Sequence, residues 1–315
     1  MKRREFLTRV AGGMSAAAAL RGGGLGAAPA ERHAARAGGN TKLNRVGIST
    51  WSLHNYFQST REKEFNLPGE MLALLDFPEM IADRYKVHHL EFCAPHFAST
   101  EPAYLREVKS RLLRAHSTVV NMPVDIEEIW TGGGLSDPDR KIRDNAVNAS
   151  KKWIDIAAAI GCKAVRCDPG KMDAKKLAPT LQSYKALATF GKAKGIHVII
   201  ENHGGVGSEH PEELVKLFKG VGSTLVGALP DFGNFPDEPT RELGLSLLFP
   251  YARVACHAKG LEIDAQGNET KFNFPKCIEI SKKAGFQGTY SIEYEGPRDP
   301  YAGVQKVLDE LMKYL

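Results

Sequence analysis

The 315-residue chain lacks the cysteine spacing of a metal knuckle or a disulfide scaffold. Its five cysteines (Cys93, Cys162, Cys167, Cys256 and Cys277) form no close-spaced ligand pair and cannot all pair with one another. Three of them sit in apolar, strand-like runs, so buried free thiols are expected. The chain also lacks a run of about 20 strongly apolar residues, and no helix is expected to cross a membrane. The formal charge of +5 is local: residues 1–36 hold seven Lys/Arg and two acids. Taking these from 42 basic and 37 acidic residues leaves 35 of each sign. A neutral body removes the electrostatic basis for nucleic-acid binding. Finally, GISTWSLHNYF, which holds the end of the first expected strand, has no glycine-rich phosphate turn. That argues against an open, doubly wound nucleotide-binding sheet.

What is present begins with a leader. In MKRREFLTRVAGGMSAAAAL, Arg3 and Arg4 precede Phe6 and Leu7, a mild Ala/Gly-rich stretch follows, and Ala28-Pro29-Ala30 offers small residues at cleavage spacing. This resembles a twin-arginine export signal, which implies a periplasmic or otherwise exported protein. Residues 1–30 are read as that signal, 31–42 as flexible spacer and 43–315 as one domain.

In that domain, short apolar runs alternate with longer segments of helical period. Strands are predicted near 45–50, 88–93, 117–122, 163–168, 196–202, 225–231, 252–257 and 288–294. Helices are predicted near 68–85, 102–115, 137–160, 173–194, 210–220, 240–248, 275–284 and 301–314. Pro211 and Pro300 suit first helical turns, and Gly195 and Gly285 suit helix ends. Eight alternations without a composition break predict an α/β fold, a single closed (β/α)8 barrel, whose usual length is about 250 residues. Two segments break the rhythm. LEIDAQGNETKFNF (261–274) carries a Gln-Gly-Asn turn signal and predicts a small hairpin after strand seven, lying over the barrel mouth. PVDIEEIWTGGGLS (123–136) is either a second lid or a structural turn.

Four segments end an apolar run on one charged or metal-liganding side chain: VIIENHGG, LVGALPDFGNF, RVACHAKG and GTYSIEYEG. The residues are Glu201, Asp231, His257 and Glu293, spaced by 30, 26 and 36 positions, about one strand-plus-helix unit each. Polar residues at the carboxyl ends of successive barrel strands describe an enzyme site. Three carboxylates and an imidazole are also a ligand set for one divalent ion such as Mn²⁺, Mg²⁺ or Zn²⁺. Alternate strand residues share a face, and Glu201 with His203, His257 with Lys259, and Glu293 with Glu295 are polar pairs at that spacing. Burying so many charges without a counter-ion costs several kcal/mol each, on the order of a whole protein's stability. His203, Asn234, Lys259, Glu295 and Arg166 are the expected substrate contacts. Arg166 and Asp168 can equally pair with each other. Glu91 and His96 rank lower, and His88, His89 and His197 fall at the wrong end of the strands. Trp51, Phe97 and Trp130 can stack on a sugar face or simply pack in the core.

In order along the chain, HLEFCAPHF, VIIENHGG, DFGNF, HAKG and GFQGTYSIEYEG resemble the xylose isomerase-like TIM barrels, a family of sugar isomerases, epimerases and dehydratases. The resemblance covers roughly 43–315. It implies that Glu201, Asp231, His257 and Glu293 are the metal set, and that Glu201 and Glu293 are also the catalytic proton carriers. The implied reaction is proton transfer through an enediolate on a small-molecule sugar. Asn234 stands where several relatives have histidine. With an export signal and no phosphate loop, the expected substrate is an unphosphorylated sugar or sugar derivative. A metal-dependent lyase or hydratase acting on 3-keto-glycosides or keto-sugars is the alternative, since elimination would use the same groups. The abasic-site endonucleases of the superfamily are disfavoured by the neutral body, and a metal-free sugar-binding protein would show no activity. Self-association into a homo-oligomer stays open.

Overall fold

The computed structural model describes residues 42–62 and 69–315; the leader and most of the spacer lie outside them. Among the described residues, eight strands form one parallel sheet: β1 (Val46–Ser49), β2 (His89–Glu91), β3 (Thr118–Pro123), β4 (Ala164–Arg166), β5 (His197–Glu201), β6 (Val226–Leu229), β7 (Ala255–Gly260) and β8 (Thr289–Tyr294). The order is β6-β5-β4-β3-β2-β1-β8-β7. Between β6 and β7 the ladder is reduced to two bridges, Ala228 with Ala252 and Asp231 with His257, which close the barrel. Two to six buried residues per strand, apolar on the side facing the helices, are what parallel strands covered by helices require.

Among the described residues, eight helices of more than two turns follow the strands: α1 (Phe77–Tyr85), α2 (Pro102–Arg114), α3 (Arg140–Ile160), α4 (Ala178–Lys194), α5 (Pro211–Val221), α6 (Glu238–Leu248), α7 (Phe274–Lys283) and α8 (Pro300–Tyr314). Every one except α3 has a proline in its first turn, where the missing N–H is not needed. Helix α3 starts instead on Asp139, whose side chain accepts from the Lys141 amide. Helices α3, α4 and α5 end on Gly161, Gly195 and Gly222 in the left-handed region. None of the described helices is long and apolar enough to cross a membrane.

The main core lies between sheet and helices, and a small second cluster, Ala164, Ile199, Leu229 and Ala255, fills the barrel interior. Two residues beyond each, on the same face, stand Arg166, Glu201, Asp231 and His257. The inner wall thus turns from apolar to charged in one step toward the carboxyl ends. All five cysteines are buried, and none is in a disulfide.

Of the two rhythm-breaking segments, one packs on α8 and the other brings Trp130 to a cavity beside Glu201 and His203. Residues 261–274 make a turn with a single antiparallel bridge, Ile263 with Glu269, and no paired strands. It lies against α8: Lys306 donates to the Asp264 carbonyl, Lys313 to Asn268 Oδ1, and the Glu269 amide to Glu310. The Gln-Gly-Asn signal reports the bend and says nothing about which surface the bend packs on. In 123–136 the glycines are structural. A Cβ on Gly134, at φ +59°, would stand 2.0 Å from the Ile129 carbonyl oxygen, and Leu135 and Ile129 beside it are fully buried.

Candidate metal centre

Glu201 ends β5, Asp231 follows β6 at the closing seam, His257 lies in β7 and Glu293 in β8. All four are buried, and one ligating atom from each lies within 4.8 Å of the others. His257 Nδ1 is 3.2 Å from Glu201 Oε1, 3.2 Å from Asp231 Oδ2 and 3.4 Å from Glu293 Oε2. The seam itself sets one of these approaches. The His257 amide donates to the Pro230 carbonyl at 2.8 Å and the Phe232 amide to the His257 carbonyl at 3.2 Å, which fixes Asp231 alongside.

Each of the four is held in turn by further groups. Asp231 Oδ1 accepts the amides of Gly233 and Asn234 at 2.7 and 2.9 Å, which leaves Oδ2 toward His257. Asn202 brackets the same residue, accepting the Asp231 amide and donating to its carbonyl. Asn234 Nδ2 donates to Glu201 Oε1 at 2.8 Å, and Arg166 binds Glu201 Oε2. Lys259 binds Glu293 Oε2 and lies 3.1 Å from Asp231 Oδ2 and 3.4 Å from Glu295. Trp51 Nε1 donates to Glu295 at 2.7 Å.

Glu91, ranked low from sequence, proves integral. Both of its oxygens are 3.1 Å from His257 Nε2, and Asn121 donates to it at 2.8 Å. A ligating histidine that gives its second N–H to a carboxylate is fixed in tautomer and ring orientation. The donor set therefore fits a divalent ion: His257 turns one nitrogen to three carboxylates and the other to a fourth.

The charges follow from the geometry. Burial opposes an imidazolium at His257, yet Glu293, Glu91 and Glu201 together hold its pKa well above the usual value. Burial likewise works against the charge of Glu201, but Arg166, His257 and His203 bring its pKa well below the carboxylate range. For Lys259, burial is outweighed by Asp231, Glu293 and Glu295, which raise its pKa well above the usual.

Of the five expected substrate contacts, three border open space. His203 lines a cavity with Trp130 and Glu201, Asn234 is partly exposed, and Glu295 stands at the rim. Arg166 and Lys259 are fully buried and committed to carboxylates. Trp51 is buried against Glu295, and Phe97 packs on Trp153 and Tyr104; Trp130 alone of the three aromatics lines the cavity.

A family model described as xylose isomerase-like TIM barrel matches residues 82–314. The chain belongs to that family. No curated protein matches its sequence. Among solved structures, this xylose isomerase-like barrel is similar to D-psicose 3-epimerase from Clostridium cellulolyticum H10 with D-tagatose, at 16% identity and a TM-score of 0.63, over 86% of this chain and 99% of that one. It is similar to 3-keto-D-glucoside 4-epimerase from E. coli at 15% identity and a TM-score of 0.60, over 85% and 99%. A xylose isomerase-like TIM barrel protein from Mycobacterium smegmatis in complex with magnesium aligns at 15% identity and a TM-score of 0.60, over 85% and 95%. At these identities the likeness is one of fold.

Proposed function

We propose that this xylose isomerase-like barrel is a divalent-metal-dependent isomerase or epimerase of an unphosphorylated sugar or sugar derivative. One observation carries the reading: two buried glutamates from different strands, Glu201 and Glu293, reach the same nitrogen of His257, at 3.2 and 3.4 Å. Glu201, Asp231, His257 and Glu293 would hold a divalent ion, which would supply Lewis acidity that acidifies a C–H next to a sugar carbonyl. The glutamates then do the proton work. Arg166 keeps Glu201 ionised, so it can accept a proton; Glu293, on β8, takes one up from solvent and passes it to the enediolate, and Glu201 releases its own to solvent to close the cycle. Return to the same carbon from the other face gives an epimer, and return to the neighbouring carbon gives an aldose–ketose exchange. Lys259, against Glu293, stabilises negative charge developing there. Export through the leader accords with an unphosphorylated substrate.

The test is incubation in D₂O with a panel of ketoses and keto-glycosides. Carbon-bound deuterium without net elimination is expected, and a chelator should remove it. An unsaturated product would replace this reading by the lyase alternative, and no exchange with any sugar would sink both.

Loading the centre also has a proton cost. Without metal, His257 holds its proton because its pKa is raised; a ligating nitrogen must give that proton up. Protonation at low pH therefore competes with the ion, so affinity for Mn²⁺ should rise with pH, with close to one proton released per ion bound at this centre. Calorimetry in buffers of different ionisation enthalpy reads that number. Affinity independent of pH between about 5 and 8, the window in which histidine ordinarily titrates, would remove His257 from the ligand set.

A further inference from the structure

A second group of ligating side chains converges beside the first. Asp125 follows β3, Asp168 follows β4 and His203 follows β5, and one ligating atom from each lies within 4.8 Å of the others. None of the three belongs to the His257 set. Asp125 and Asp168 are buried, at 5% and 4% exposure. Asp168 Oδ2 meets His203 Nδ1 at 2.8 Å, but its Oδ1 is buried with no hydrogen-bond partner among the described residues. Asp168 and His203 line a cavity of about 190 Å³ with Trp130, Lys171 and the Gly204–Gly207 turn. A carboxylate oxygen buried at the wall of such a cavity calls for a donor or a cation.

The charge balance of the neighbourhood points the same way. Six carboxylates around the two groups are buried: Glu91, Asp125, Asp168, Glu201, Asp231 and Glu293. They share two buried cationic side chains, Arg166 and Lys259. With His257 neutral, one divalent ion leaves two negative charges uncompensated, and a second brings the balance to zero. Arg166 stands between the groups, with one nitrogen on Glu201 and another on Asp125, the first also 3.7 Å from Asp168. The guanidinium therefore keeps the two centres separate.

We propose that Asp125, Asp168 and His203 form a second divalent-cation site, open to the adjoining cavity. Two carboxylates and an imidazole suit Mn²⁺ or Zn²⁺. Three protein donors leave coordination positions for hydroxyl or carbonyl oxygens of a small ligand in the cavity.

The experiment is Mn²⁺ titration of the metal-stripped full chain, read by the free-ion spin-resonance signal. The wild type should bind two ions per chain, Asp168→Asn one, His257→Ala one, and the two changes together none. The ion retained by Asp168→Asn reports that the variant is folded. Should that variant fail to fold, His203→Gln, at a partly exposed position, must show the same loss of one ion. A wild type that saturates at one ion, or an Asp168→Asn variant that still binds two, overturns the second site. A wild type that binds none refutes the His257 centre as well, so the two failures are distinguishable.

Discussion

Replacing Glu201 and Glu293 together by glutamine is expected to abolish turnover while the barrel still folds. Glutamine keeps the shape and much of the hydrogen bonding of glutamate, but neither accepts a proton at neutral pH nor ligates a cation well. A positioned acid or base contributes on the order of 10²- to 10⁴-fold, so each single change should cost about that much. The double change need not cost the product, because residues acting as one unit are not additive. The single variants separate the roles. If Glu201 takes the proton and Glu293 returns it, each variant should lose epimerisation. The variant that retains the removing group should still wash solvent deuterium into the substrate. Both glutamates are fully buried and paired, Glu201 with Arg166 and Glu293 with Lys259, so the double variant leaves two cations without their anions. Circular dichroism must therefore accompany the kinetics. A folded double variant that turns over within tenfold of wild type would rule out the proton-shuttle assignment.

The barrel was legible in the sequence because a parallel strand covered on both faces must read as a short apolar run. Its helix starts and stops, such as Pro211, Pro300 and Gly195, carry local steric signals. The convergence of Glu201, Asp231, His257 and Glu293 follows from the same rule, since each continues the inner face of its strand by one two-residue step. The rest depends on what lies across the barrel. Glu91 ends an ordinary strand, and only the closing of the sheet brings it against His257, 166 positions later. Asp125 sits just past Pro123 in a loop with no periodicity. Arg166 and Asp168 looked like partners because they share a face at i, i+2. In the structure Arg166 reaches across to Glu201 and Asp125 more closely than to its sequence neighbour. The side chains that hold the four residues and Glu91, namely Asn121, Asn202 and Asn234, are ordinary polar residues whose role is set by register between strands.

Arg166→Met should be the most destabilising single change near the site. The guanidinium is 0% exposed and is the shared counter-ion of Asp125, Asp168 and Glu201. Methionine fills much of the volume, so the loss is chiefly electrostatic. Removing one partner of a buried ion pair typically costs about 3–5 kcal/mol, against a total stability of about 5–15 kcal/mol. At about 2–4 °C per kcal/mol for a chain of this size, the melting temperature should fall by roughly 6–20 °C. The sign of the pH dependence is fixed by the same argument. Without Arg166 the stranded carboxylates have folded-state pKa values above their unfolded ones, because burial disfavours their charge. Their penalty is then full above the folded pKa and fades as pH falls toward the ordinary carboxylate range, so the deficit relative to wild type should shrink on acidification. Asp125→Asn in the Arg166→Met background removes one stranded charge and should restore part of the loss, a coupling that a double-mutant cycle measures. An Arg166→Met variant that melts with the wild type at neutral pH would mean that the carboxylates around it are compensated by something other than the guanidinium.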